Sequence, residues 1–165
     1  WLPARLADTS PDLMRRLWAV HAESPLLLCQ RFAPRLRAAG RGEVGDGEIG
    51  AGGGGGHVVN MVDLLAERPW PEYLAYCASK AALWNLTLGL ARELAPDVTV
   101  NGIAPGVVEW PAGYPEAERV KYLKRVPLAR AGTPGDVAEA VAYLVTGGRY
   151  VTGQILRLDG GRSIT

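Results

Sequence analysis

The sequence predicts an α/β fold, a parallel sheet with flanking helices. Three observations carry that expectation. Segments with apolar residues at helical spacing alternate with short β-branched apolar runs, in the order α-β-α-β-α-β. Strands separated by helices pair in parallel through right-handed crossovers. Each run is closed by Asp, Pro or Gly, the residues that punctuate strand ends. A chain of 165 residues fits one domain, 1–165.

Ser10-Pro11-Asp12 reads as an N-cap, a proline at the first helical position and an acid in the first turn. Leu13, Leu17 and Val20 continue at helical spacing, Pro25 kinks the pattern and Gly40 ends it. One bent helix over 11–39 is expected. Residues 40–56 form a Gly-rich loop whose letters satisfy G-x-G-x-x-G at Gly50, Gly52 and Gly55. The phosphate-binding form of that motif follows a strand and opens a helix. Here the glycines follow a helix and open a strand, so they read as a flexible linker.

His57-Val58-Val59-Asn60-Met61-Val62 is expected to be a strand buried on both faces, ended by Asp63, with His57 solvated at its start. A helix over 73–95 carries Leu83, Leu86, Leu90 and Leu94 as its core stripe. A second strand, 98–103, ends at Pro105-Gly106. Residues 107–127 form a long loop with a short helix near 115–124. Thr133-Pro134-Gly135-Asp136 is a capping-box start for a helix reaching Gly147-Gly148, and 154–158 is a third strand. Ligands of parallel sheets sit beyond the carboxyl ends of the strands, where Asp63 and Pro105-Gly106 lie.

Composition narrows the function classes. Eighteen Lys and Arg against seventeen Asp and Glu leave a net charge of +1, and the basic residues are scattered, unlike the concentrated patch of a nucleic-acid binder. No run of 18 apolar residues suggests a membrane span, and no signal peptide opens the chain, so a cytoplasmic protein is expected. Cys29 and Cys77 lack metal-ligand spacing and read as small buried hydrophobes in a reducing compartment, with no metal site.

Tyr76-Cys77-Ala78-Ser79-Lys80 places a phenol and an ammonium four residues apart, on one helix face. A Lys beside a Tyr stabilises the phenolate, and a phenol tuned toward neutrality can protonate a developing alkoxide or amide nitrogen. Alone, the spacing is common among surface contacts.

The surrounding blocks are more specific. Tyr76-Cys77-Ala78-Ser79-Lys80-Ala81-Ala82-Leu83, Leu90-Ala91-Arg92-Glu93-Leu94-Ala95-Pro96, Val100-Asn101-Gly102-Ile103-Ala104-Pro105-Gly106, Val151-Thr152-Gly153-Gln154 and Leu158-Asp159-Gly160-Gly161 follow in that order. From about residue 11 to its end, the chain resembles the short-chain dehydrogenase/reductase family. It looks most like the pteridine reductase branch, which includes dihydromonapterin-type reductases. The usual Ser after the central strand is replaced by Asn60-Met61-Val62-Asp63, and Asp63 precedes Tyr76 by 13 residues, as in that branch.

The resemblance implies a Rossmann-like sheet, NADP(H) as cofactor, reduction of a small pterin-like or carbonyl substrate, and a homo-oligomer, usually a tetramer. It makes Tyr76 the proton donor. Lys80 would hold the nicotinamide ribose and depress the Tyr76 pKa. Asp63 would orient Tyr76 and the substrate or relay a proton. Pro105, Gly106 and Val107 would line the nicotinamide, and Trp110 and Tyr114 would belong to a substrate loop or simply pack within it.

Two departures stand beside this. The family's first half, with its glycine turn for the pyrophosphate, has no counterpart in these residues. If they were the whole polypeptide, dinucleotide binding should fail, and the first strand would expose an edge meant for a neighbour. The family's supporting Asn on the first long helix corresponds to His21, able to donate, accept and titrate near neutrality in a catalytic support role. The alternative reading is a truncated, non-catalytic homologue that keeps the fold and the oligomer surface.

Overall fold

β1 (Gly56–Met61), β2 (Val98–Pro105) and β3 (Ile155–Leu158) form a parallel sheet in that order, with β2 at the centre. The computed structural model describes residues 3–43 and 55–165, so most of the Gly-rich segment, including Gly50 and Gly52, lies outside the described residues. Gly56 pairs with Val98 and Met61 with Ile103, while Gly102 pairs with Ile155 and Pro105 with Leu158. All three strands therefore end on one side, which gathers Asp63, Gly106 and Asp159 there.

The helices are α1 (Pro11–Trp18), α2 (Ser24–Gly40), α3 (Leu74–Leu94), α4 (Glu116–Leu123) and α5 (Pro134–Thr146). Neighbouring residues of a strand point to opposite faces. Val98 and Val100 pack with Cys29, Leu90, Ala91 and Leu94, which puts α2 and α3 on one face of β2. Ile103 packs with Ala140 and Leu144 of α5 on the other. Ile103, Val98 and Val100 are among the most deeply buried side chains, as a central strand between two helical layers requires.

The expected bent helix is α1 and α2 joined by a π-helical turn, Ala19–Glu23, in which the Ser24 N–H reaches back to the Ala19 carbonyl. The bend thus precedes Pro25, which sits in the first turn of α2, where its missing N–H has no intrahelical duty. Gly56 is needed where β1 passes beneath α2: a Cβ there would lie 2.3 Å from the Leu36 carbonyl oxygen.

Two expectations about β1 change. It is half-buried rather than buried on both faces, because it forms the edge of the described sheet. His57 is not simply solvated: it is partly buried, its Nδ1 lies 2.8 Å from Thr99 Oγ1, and burial, then the charge of Arg149, holds its pKa below the usual value. Cys29 and Cys77 are both buried free thiols. Among the described residues, no helix is long and apolar enough to cross a membrane.

Candidate active site

Asp63 follows β1 and caps the short 3-10 turn Leu64–Ala66, accepting the Leu65 N–H on Oδ1 at 2.8 Å. That bond holds the carboxylate in place. The other oxygen, Oδ2, accepts the Tyr76 hydroxyl at 2.7 Å. Tyr76 stands in the first turn of α3, and its spacing of 13 residues from Asp63 is spanned by the turn and the loop before α3. One helical turn later, Lys80 Nζ donates to the Met61 carbonyl at 2.8 Å and lies 5.9 Å from the centre of the Tyr76 ring. Both side chains are buried, Tyr76 at 7% and Lys80 at 9% exposure, so their polar atoms interact in a medium of low polarity.

His21 approaches from the π-helical turn. Its ring meets the Tyr76 ring edge-on, 5.5 Å between centres. Its Nδ1 lies 2.8 Å from Ser79 Oγ, and Ser79 donates its hydroxyl to the Tyr76 carbonyl at 2.7 Å. A serine has one proton to give, so with that proton on the carbonyl, His21 Nδ1–H is the donor and Nε2 the acceptor nitrogen. Burial, then the positive charge of Lys80, pushes His21 down to about 4. The expectation that His21 titrates near neutrality is therefore corrected: it is a neutral side chain that packs on Tyr76 and fixes Ser79.

The expected lowering of Tyr76 by Lys80 is also overturned. Burial, the charge of Asp63 and the hydrogen bond to Asp63 push the phenol well above its usual value. Lys80 is turned to the Met61 carbonyl, and burial lowers its own pKa while Asp63 opposes that shift. In this arrangement Tyr76 is a fully protonated donor whose proton is already aimed at a carboxylate.

Asp63 also lines a cavity of about 350 Å³, with Pro105, Gly106 and Val107 from the end of β2. The structure thus brings four of the predicted residues to one wall, with Tyr76 and Lys80 buried behind Asp63. It does not bring Trp110 and Tyr114 there. Those rings stack on each other at 5.0 Å, and Trp110 meets Tyr122 edge-on at 5.5 Å. Tyr122 is the aromatic residue of that segment that reaches the cavity. Sequence reasoning missed it, along with Arg68, Arg125 and Arg162, which line the same space. Each looks like an ordinary surface residue in the chain; only their positions beyond strand ends or beside α4 could have flagged them.

Comparisons with known proteins agree with this fold. A family model described as enoyl-(acyl carrier protein) reductase matches residues 2–163. Dihydromonapterin reductase of Klebsiella pneumoniae is 32% identical over 164 residues, 99% of this chain and 63% of its own length. Protein FixR of Bradyrhizobium diazoefficiens is 34% identical over 159 residues, 94% of this chain and 51% of its own. Acetoin dehydrogenase from Enterobacter cloacae superposes with a TM-score of 0.78 at 30% identity, over 98% of this chain and 60% of that one. An apo SCOR enzyme from Clostridium thermocellum shares the fold, with a TM-score of 0.80 at 24% identity over 99% of this chain and 58% of that one. The chain spans less than two thirds of the length of these relatives. With a parallel sheet, a Tyr76–Lys80 pair on α3 and a family match along almost all of its residues, it belongs to the short-chain dehydrogenase/reductase family.

Proposed function

We propose that the protein is an NADP(H)-dependent oxidoreductase that reduces a small pterin-like or carbonyl substrate, with Tyr76 as proton donor and Asp63 and Lys80 as its partners. The observation that carries this reading is the 2.7 Å hydrogen bond from Tyr76 to Asp63 at the wall of the cavity. The similarity to dihydromonapterin reductase supports the pterin-like class.

The residues present suit the nicotinamide-ribose end of such a cofactor. Lys80 is a buried ammonium that spends one of its three N–H donors on Met61, which leaves two for ribose hydroxyls. Pro105, Gly106 and Val107 offer an apolar and backbone wall for the ring. When bound, NADPH supplies the hydride; the protein supplies position and a proton.

The proton's path follows from the hydrogen bonds. A substrate oxygen or nitrogen that replaces Asp63 Oδ2 as acceptor takes the Tyr76 proton directly. One that contacts Asp63 instead receives it through the carboxylate while Tyr76 refills it. Hydride and proton together add two hydrogens across one double bond. The phenolate left behind is countered by Lys80 across the ring. His21 and Ser79 keep the Tyr76 ring and backbone in register.

The direct test is NADPH oxidation with dihydrobiopterin against a panel of ketones. Turnover of dihydrobiopterin is expected; turnover of ketones alone would reject the pterin-like class. One observation favours a second reading, a non-catalytic homologue that keeps the fold and the oligomer surface but binds no dinucleotide: His21, pushed down to about 4, stands where the family carries an Asn. Calorimetry with NADPH separates the two, since tight binding rejects the non-catalytic reading. Self-association is part of the same proposal. Leu26, Leu27, Leu28 and Phe32 of α2 are exposed apolar residues, and light scattering is expected to show a homo-oligomer such as a tetramer.

A further inference from the structure

Three arginines from distant parts of the chain meet in the cavity beside Asp63. Arg68 lies after the 3-10 turn that follows β1, Arg125 just after α4, and Arg162 in the turn after β3. Among the described residues, none of the three has an Asp or Glu carboxylate within salt-bridge distance. The acids near them are engaged by other donors: Asp159, whose charge is still felt by Arg162, accepts the Gly161 and Ser163 N–H groups. Glu67 is paired with Arg157 at 2.7 Å, and Asp63 accepts from Tyr76 and Leu65. The lining thus holds three guanidiniums against the single carboxylate of Asp63.

Arg162 is the most telling of them. It is only 7% exposed, and its Nε has no hydrogen-bond partner. A buried donor without an acceptor is costly and uncommon in a folded protein. Burial, and then the like charges of Arg125 and Arg68, lower its pKa, with Tyr122 and Asp159 opposing. Arg68 is anchored rather than free: its Nη1 donates to the Ser163 carbonyl at 2.5 Å and its Nη2 to the Thr165 carbonyl at 3.3 Å. Arg68 is thus held in place and Arg162 lies over the Tyr122 ring at 5.6 Å, while the three guanidiniums face one carboxylate in the lining. Trp70 and Tyr122 add aromatic walls to the same cavity. Guanidinium groups match the planar acceptors of carboxylate and phosphate, and a ring beside them suits aromatic walls.

We propose that the substrate reduced here, on the reading given above, carries a carboxylate or phosphate group that Arg68, Arg125 and Arg162 hold while its reducible bond lies toward Asp63. The substrate class is thereby an anionic ring compound rather than a neutral one.

Calorimetric titration of the protein with pterin-6-carboxylate and with pterin-6-carboxamide tests this, in the presence of NADP. The carboxylate is expected to bind about tenfold tighter or more, and raised salt should weaken only that ligand. Arg125 lies at the exposed rim, so Arg125→Gln should fold normally and bring the two affinities together, while Arg125→Lys should keep part of the difference. Equal affinities in the unaltered protein, a preference that survives Arg125→Gln, or no binding of either ligand would each overturn the proposal. Inorganic phosphate competing as strongly as the ring-bearing carboxylate would overturn the claim that the anion belongs to a substrate. A parallel assay of NADPH oxidation keeps the two readings apart. Arginine-dependent binding with no reduction leaves the anion site and rejects the reductase; reduction of both ligands with equal KM does the reverse.

Discussion

Asp63→Asn is the substitution that most directly perturbs the proton path. The carboxylate accepts two hydrogen bonds, from the Tyr76 hydroxyl at 2.7 Å and from the Leu65 N–H at 2.8 Å. An asparagine offers one acceptor oxygen. Turned so that this oxygen serves Leu65, it presents its NH2 to the phenol, and Tyr76 must change from donor to acceptor. A hydrogen bond to a charged group is lost, costing about 2 kcal/mol. For a chain of this size that lowers Tm by roughly 4–8 °C. The same change removes two of the four causes that raise Tyr76, the charge of Asp63 and the hydrogen bond to it, and leaves burial and the neighbouring Cys77. Tyr76 should therefore ionise at lower pH in Asp63→Asn than in the unaltered protein, while turnover falls. The assay is alkaline titration of tyrosinate absorbance, with Tyr76→Phe identifying the signal among the six tyrosines. A Tyr76 that titrates at the same pH or higher in Asp63→Asn would refute the assignment of Asp63 as the group that controls the phenol.

The remaining predictions concern stability. The pKa of His21 falls from 6.5 to about 4 on folding, so between those values the unfolded chain binds more protons and stability rises with pH. Stability should be lost on acidification through that window, and urea unfolding at several pH values should show a shallower loss in His21→Gln; an unchanged slope would count against it. Gly56→Ala forces a Cβ against the Leu36 carbonyl and should cost about 1–3 kcal/mol or more, read from the urea midpoint. Gly89 in α3 has open space where its Cβ would be, so Gly89→Ala should stabilise the protein by about 1 kcal/mol. Thr133 accepts the Asp136 N–H in a capping box, and Thr133→Ala should cost about 1 kcal/mol by the same measurement.

Much of the fold was legible because its signals are local. Thr133-Pro134-Gly135-Asp136 forms the expected capping box, and the β-branched runs become β1 and β2. Asp63, Tyr76 and Lys80 were legible as a group through the resemblance to the short-chain dehydrogenase/reductase family, since the Tyr-Lys spacing alone is common among surface contacts. What stayed hidden depends on distance and burial. The π-helical turn before Pro25 has no letter pattern of its own. The direction of the Tyr76 shift is set by burial and then by Asp63, neither of which the spacing of Tyr76 and Lys80 reveals. His21 leaves the neutral range only because of burial and Lys80. Arg68, Arg125 and Arg162 lie far apart in the chain, and a scattered charge count gives no hint that three of them share one cavity. Trp110 read as a substrate-loop residue or as plain loop packing, and in the fold it packs with Tyr114, Tyr122 and Arg119.

The central claim is that the Tyr76 hydroxyl supplies the proton for reduction beside the cavity. Single-turnover reduction of dihydrobiopterin by NADPH in Tyr76→Phe measures this most directly, with calorimetric binding of NADPH as its control. Loss of the proton donor should slow the chemical step by about 10²–10⁴-fold. Cofactor affinity should change little, because Lys80 and the end of β2 are untouched. A chemical step of unaltered rate in Tyr76→Phe, with the cofactor still bound, would contradict the account.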